Sequence, residues 1–285
     1  MSEIKHILVT NDDGISAPGL LALAQEMRKF AEVTILAPDR NWSGSGHVKT
    51  LDRPLRIKEV VLTDGSTALA SDGAPSDCVA LALLGFFDQK FDLVVSGINT
   101  MANLGHDVTY SGTVTAAMEA IIWNVPGIAF SLGTNEKHSE PLDYSTAAQI
   151  ARQIVERTSF HTLPDGMLLN VNIPYLPLDQ IKGTRITRQG LRVYRDRLDR
   201  RIDPRGRAYY WIGGDAPTGI PEEGTDVGVV ADGFVSITPL QLDLTMYSVI
   251  PTLEAWDWNL PSHPESLLEQ NFPDGAIREA IQKTK

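Results

Sequence analysis

The chain has 285 residues, 42% apolar and 21% charged, the composition of an ordinary globular protein with length for one large α/β domain or two small ones. A net charge of −11 argues against a surface that coats nucleic acid, so an anionic substrate would need a metal, an arginine or backbone N–H groups beside it. The lone Cys78 excludes an internal disulfide, no basic-then-apolar leader opens the chain and no apolar run reaches bilayer length, which together give a cytoplasmic expectation.

The first strand is expected over Ile4 to Thr10. A helix follows over Pro18 to Phe30, its proline suited to a first turn and Leu20, Leu23, Ala24 and Met27 forming one apolar face. Val33 to Ala37 reads as the second strand, Ser76 to Leu84 as a helix, and Phe91 to Ser96 as a strand broken by Gly97. A helix from Ser111-Gly112-Thr113 places Val114, Ala117, Met118 and Ile121 on one face. Gly127 to Leu132 is the next strand, Leu142 to Arg157 a helix, Met167 to Asn172 a strand, and Gly233 to Leu240 returns to strand character. This β-α-β alternation predicts a parallel sheet covered by helices on both faces.

Nine arginines fall between Arg185 and Arg207, interleaved with Asp196, Asp199 and Asp203 and followed by Tyr209-Tyr210-Trp211. The pattern fits a salt-bridged protruding hairpin for most of these arginines, and also an arm that packs on a neighbouring subunit or guides phosphates.

The octet Ile7-Leu8-Val9-Thr10-Asn11-Asp12-Asp13-Gly14 is a buried-strand pattern that delivers two adjacent carboxylates to its carboxyl end, where open α/β sheets hold their ligands. Adjacent carboxylates raise each other's pKa unless a cation compensates, which suggests a divalent metal with oxygen ligands. Turn formation and helix capping explain the same residue types, and the octet alone leaves both readings open. Three further segments carry suitable groups: Ala37 to Gly46, a small-residue loop with one guanidinium; Gly97 to Asp107, with Asn99, Asn103 and Asp107; and Tyr110 to Thr113, a helix start whose free N–H groups suit phosphate.

Rival motifs fail. Gly44 to Thr50 has Val48 where a P-loop needs glycine, no G-x-G-x-x-G follows the first strand, and neither H-E-x-x-H nor G-x-S-x-G is present, which argues against a dinucleotide oxidoreductase. His47 and His106 border the expected site as minor contributors.

The set Thr10-Asn11-Asp12-Asp13-Gly14, Ala37-Pro38-Asp39-Arg40-Asn41 with Ser43, Ser96-Gly97-Ile98-Asn99, Asn103-Leu104-Gly105 and Tyr110-Ser111-Gly112-Thr113-Val114 closely resembles the stationary-phase survival protein SurE family of 5′/3′-nucleotidases, five motifs in the family's order. Gly73-Ala74-Pro75-Ser76-Asp77-Cys78 and Ser236-Ile237-Thr238-Pro239-Leu240 extend the resemblance to about Leu240. Trp42 replaces the family's usual arginine and Thr100-Met101-Ala102 its usual small-residue run, both beside the pocket.

The resemblance implies a three-layer α/β/α Rossmann-like sheet with an Arg-rich hairpin arm and a C-terminal exchange segment, as one domain over 1–285: core about 1–180 and 225–250, arm about 185–224, tail 251–285. It implies Asp12, Asp13, Ser43 and Asn99 as ligands of one Mg²⁺ or Mn²⁺ per subunit, and Asn103, Ser111, Gly112 and Thr113 as the phosphate holders. Hard oxygen donors without thiolate or imidazole agree with those cations. The expected reaction is hydrolysis of nucleoside 5′-monophosphates, with 3′-monophosphates and short polyphosphate as further candidates, and with Asp13 or Asp107 taking a proton from the attacking water. A non-catalytic nucleotide-binding regulatory protein is the alternative. The expected assembly is a homodimer or homotetramer with exchanged C-terminal segments, with no nucleic-acid polymer and no membrane as partner.

Overall fold

The apolar opening run folds as β1 (His6–Thr10), and a computed structural model describes residues 4–134, 141–158, 163–256 and 258. Pro18 opens α1 (Pro18–Met27), whose Leu20, Leu23, Ala24 and Met27 are all buried against the sheet. Next come β2 (Glu32–Pro38), β3 (Ile57–Val61), β4 (Thr67–Ser71) and α2 (Pro75–Leu81). Helical winding continues beyond α2 in a wider turn over Ala82–Phe86.

The middle of the chain gives β5 (Leu93–Asn99), α3 (Gly112–Ile122), β6 (Gly127–Gly133), α4 (Ser145–Thr158) and β7 (Met167–Pro174). The helix expected from Leu142 begins at Ser145, because the Asp143 carboxylate accepts the Ser145 N–H at 2.8 Å and holds the preceding residues in a turn. Then follow β8 (Thr184–Ile186), β9 (Arg192–Ile202), β10 (Ala208–Gly219), α5 (Asp226–Ala231) and β11 (Val235–Gln241).

Nine strands form one sheet in the order β3-β4-β2-β1-β5-β6-β7-β11-β8. The centre from β4 through β7 is parallel, while β3 on β4 and β11 on β7 run antiparallel. Helices α1 and α4 cover one face, over a core that includes Ile7, Val9, Val95 and Phe130. Helices α2 and α3 cover the other, where Cys78 is fully buried among Leu8, Leu36, Val94 and Ala116. This is the α/β/α arrangement expected from the alternation of elements. It places the carboxyl ends of β1, β2 and β5 and the N-terminus of α3 at one edge.

The arginine-rich stretch is a two-stranded antiparallel hairpin of β9 and β10, with local ion pairs between Arg201 and Asp199 at 2.7 Å and between Arg207 and Asp203 at 3.1 Å. Arg185 and Arg188 lie outside it: Arg185 belongs to β8 and stacks over Phe234, and Arg188 pairs with Glu222 at 2.9 Å.

The described residues up to Leu242 form one compact unit and those from Asp243 onward another. In the second, α6 (Ile250–Glu254) precedes Trp256 and Trp258, whose rings stack with centroids 5.6 Å apart. Of the expected exchange segment 251–285, residues 251–256 and 258 are described and the remainder lies outside the described residues. Among the described residues, no helix is long and apolar enough to cross a membrane.

Candidate active site

The turn after β1 is built by Asn11. Its side chain donates to the Gly14 carbonyl at 3.0 Å and accepts the Gly14 N–H at 3.2 Å, closing a loop that presents Asp12 and Asp13 together. The loop after β2 is tied to this turn, with the Trp42 N–H donating to the Asp12 carbonyl and the Ile15 N–H to the Pro38 carbonyl, each at 2.7 Å.

Asp12 is buried at the N-terminus of α3, where the Thr113 hydroxyl donates to its Oδ1. A Cβ on Gly112 would lie 2.7 Å from Asp12 Cβ, so the helix can press this close to the carboxylate only with glycine there. Burial pushes the Asp12 pKa up to about 6, with the charge of Asp13 adding to it and the Thr113 hydrogen bond opposing it. Burial also raises the Asp13 carboxyl, against a hydrogen bond from the Thr100 hydroxyl at 3.2 Å.

Asn41 joins Ser43 to this pair: its Oδ1 accepts the Ser43 N–H at 2.7 Å and its Nδ2 lies 3.4 Å from Asp13 Oδ1. Asn99 ends β5, and its amide nitrogen donates to the Met101 carbonyl at 2.6 Å, which leaves the amide oxygen for other use. Among the described residues no three His, Cys, Asp or Glu side chains cluster as a metal-holding group, and the donors that the resemblance implies here are two carboxylates, a hydroxyl and an amide oxygen. That all-oxygen set fits Mg²⁺ or Mn²⁺, and an adjacent pair of desolvated carboxylates is an arrangement a cation would relieve.

The remaining expected residues fall in three places. Ser111 caps α3, its Oγ accepting the Val114 N–H at 3.1 Å, and Gly112 and Thr113 stand beside Asp12. Asn103 lies deeper. Its N–H donates to Asn172 Oδ1 and its Nδ2 to Ser131 Oγ, each at 2.8 Å, and its carbonyl accepts Asn170 and Asn172, so it fastens the β5–α3 loop to β6 and β7. Asp107 is taken up by the base of the hairpin, with Arg192 Nε 2.7 Å from Oδ2 and the Tyr194 hydroxyl donating to Oδ1 at 2.6 Å. Burial and that bond to Asp107 hold the Tyr194 phenol well above its ordinary value.

Glu119, on α3, binds His47 Nε2 at 2.8 Å, Lys49 Nζ at 3.0 Å and Trp123 Nε1 at 2.9 Å, fixing the far end of the loop that carries Ser43. Burial alone would raise its carboxyl, but these three donors outweigh it and bring the pKa to about 2. Asn41, Thr100 and Glu119 were not legible as site residues. Asp13 lies 28 and 87 residues from Asn41 and Thr100, and His47 and Lys49 lie 72 and 70 residues from Glu119, although Asn41 falls in one of the resembling motifs and Thr100 in a run beside the pocket.

The family model described as Survival protein SurE matches residues 7–196. The chain belongs to the SurE family. It is 52% identical over 254 residues to the 5′-nucleotidase SurE of Herpetosiphon aurantiacus, covering 89% of this chain and 99% of the relative. It is 50% identical over 253 residues to the 5′-nucleotidase SurE of Chloroflexus aggregans, with the same coverage. The crystal structure of the SurE protein from Aquifex aeolicus superposes with a TM-score of 0.73 at 40% identity, over 87% of this chain and 98% of that one. The SurE match takes in both tied loops and α3, and ends within the first strand of the hairpin.

Proposed function

We propose that the chain is a metal-dependent 5′-nucleotidase that hydrolyses nucleoside 5′-monophosphates to nucleoside and phosphate. The observation that carries this reading is the Asp12–Asp13 pair, desolvated at the carboxyl end of β1 and against the start of α3, in a chain half identical to relatives named 5′-nucleotidase SurE. Asp12, Asp13, Ser43 and Asn99 hold one Mg²⁺ or Mn²⁺ per subunit. When bound, such a cation neutralises phosphoryl charge and lowers the pKa of a coordinated water.

The chain's own residues supply the rest. The Gly112 and Thr113 backbone N–H groups, at the positive end of α3, receive phosphoryl oxygens, with Ser111 fixing that end as cap. Asn103 serves by holding the loop before α3 in place. Asp13, partly exposed, is the group placed to take the proton of the attacking water, whereas both oxygens of Asp107 are already engaged by Arg192 and Tyr194. 3′-Monophosphates and short polyphosphate carry the same terminal phosphoryl group and are further candidate substrates.

Phosphate release from a panel of nucleoside monophosphates, with Mg²⁺, with Mn²⁺ and with EDTA, tests the reading. Turnover that needs the metal supports it, and turnover unaffected by chelation overturns the metal. Nucleotide binding without any release would favour a regulatory nucleotide-binding protein instead.

We further propose a cytoplasmic homodimer or homotetramer with exchanged C-terminal segments. The hairpin supports association, because Leu198, Ile202, Tyr210 and Ile212 share one exposed face of an isolated two-stranded ribbon, which is marginal in water without a covering partner.

A further inference from the structure

The surroundings of Asp13 continue into the core. Thr100 follows the last residue of β5, and its carbonyl accepts the Thr134 hydroxyl at 2.8 Å, which fixes it to the end of β6. Its Oγ1 lies 3.2 Å from Asp13 Oδ2 and 3.3 Å from Tyr144 Oη. A hydroxyl has one hydrogen, and an ionised carboxylate only accepts. Thr100 therefore donates to Asp13, and Tyr144 donates to Thr100.

Tyr144 cannot swing away. Its side chain is buried in the core cluster, and its ring packs on α1 at Gly19, where an added Cβ would lie 2.9 Å from Tyr144 Cε1 and 2.2 Å from the Ile98 carbonyl. The other hydrogen bond to Asp13, from Asn41, is long at 3.4 Å. The Thr100 hydroxyl is thus the firmer restraint on how the carboxylate turns.

Resting on the metal reading above, we propose that Tyr144 is a positioning residue that acts through Thr100 to hold Asp13 Oδ2 and so aims the carboxylate at a divalent cation. Partners one step behind a metal ligand fix its orientation and basicity, and their loss commonly weakens metal binding by about 10–100-fold. A valine at position 100 keeps the shape and deletes the link, a serine keeps the link, and phenylalanine at 144 removes only the hydroxyl behind it.

The test is Mn²⁺ binding to the EDTA-treated full-length protein, read from the electron paramagnetic resonance of free Mn²⁺. Thr100→Val should weaken binding about 10-fold or more, Thr100→Ser should stay within about 3-fold of wild type, and Tyr144→Phe should weaken it several-fold. In the double variant the Tyr144 change should add nothing to Thr100→Val, because Tyr144 reaches the metal ligand only through that hydroxyl. Should Thr100→Val fail to fold, the single Tyr144→Phe variant decides. Wild-type affinity in Tyr144→Phe, or equal Tyr144→Phe effects with and without Thr100, would overturn the inference while leaving the metal reading standing. A wild-type protein that binds no Mn²⁺ would overturn both.

Discussion

Arg192 and Asp107 stand 2.7 Å apart, Nε to Oδ2, and join the first residue of the hairpin to the turn that leads into α3. With the Tyr194 hydroxyl on the second oxygen, Asp107 acts as a fastener between the hairpin base and the site. Asp107→Asn should keep turnover within about 10-fold, since the amide oxygen still accepts from Tyr194, whereas removal of a general base costs about 10²–10⁴-fold. Steady-state kcat separates the two, and a loss in the upper range would return Asp107 to the chemistry.

Asp13→Asn should abolish hydrolysis and leave the far-ultraviolet circular dichroism spectrum unchanged. The metal-free variant should melt no lower than the metal-free wild type, since one of two adjacent desolvated carboxylates is neutralised. A Tm several degrees lower without metal would mean that Asp13 is required for the fold itself.

Thr113→Val removes the hydroxyl that donates to buried Asp12 while keeping the side-chain shape. Losing a hydrogen bond to a buried charged group costs about 1–3 kcal/mol, which urea denaturation at neutral pH should read as a lower midpoint with an unchanged slope. An unchanged midpoint would place the Thr113 hydroxyl on the substrate instead.

Glu119 makes stability depend on acid. Its folded pKa of about 2 lies below the ordinary 4.5, so its contribution is present above about pH 4.5 and is lost as pH falls toward 2. A shift of that size corresponds to about 3 kcal/mol. Glu119→Gln should therefore destabilise the protein at pH 7, and the gap from wild type should narrow in denaturation curves taken between pH 4.5 and 2.5. A gap constant across that range would show that packing of the longer side chain, not its charge, is what matters.

Leu198 and Ile212 face each other across the ribbon and both are largely exposed. Replacing both with aspartate should lower the mass seen by light scattering while leaving nucleotide hydrolysis per subunit within about 3-fold, since neither touches the Asp12–Asp13 turn. An unchanged mass would leave the ribbon as a solvated structure.

The central elements were legible because burial writes itself into periodicity. Ile7 to Val9 is apolar without a break since β1 is covered on both faces, and the spacing of Leu20, Leu23 and Met27 follows the single buried side of α1. β3 and β4 escaped notice, for β3 is an edge strand with Lys58 and Glu59 exposed and no clean alternation. β8 is too short to show a pattern at three residues. In the site, local motifs marked Asp12, Asp13 and Ser111, because the Asn11–Gly14 turn and the Ser111 cap on Val114 are made by neighbours in sequence. The second use of Asn103, as a fastener to Asn172 and Ser131, depends on strands 69 and 28 residues away and leaves no local trace.

The fully buried Cys78 has an experimental use. Burial holds its thiol far above the ordinary value, and it is the only sulfhydryl in the chain, so the folded protein offers a thiol-selective reagent no accessible sulfur. The rate at which a maleimide consumes Cys78 then counts how often the sheet and α3 part from α2, a clock for opening that needs no added probe. A cysteine introduced at exposed Tyr210 would be the one reactive handle on the native molecule, and a dye placed there would report on the hairpin alone.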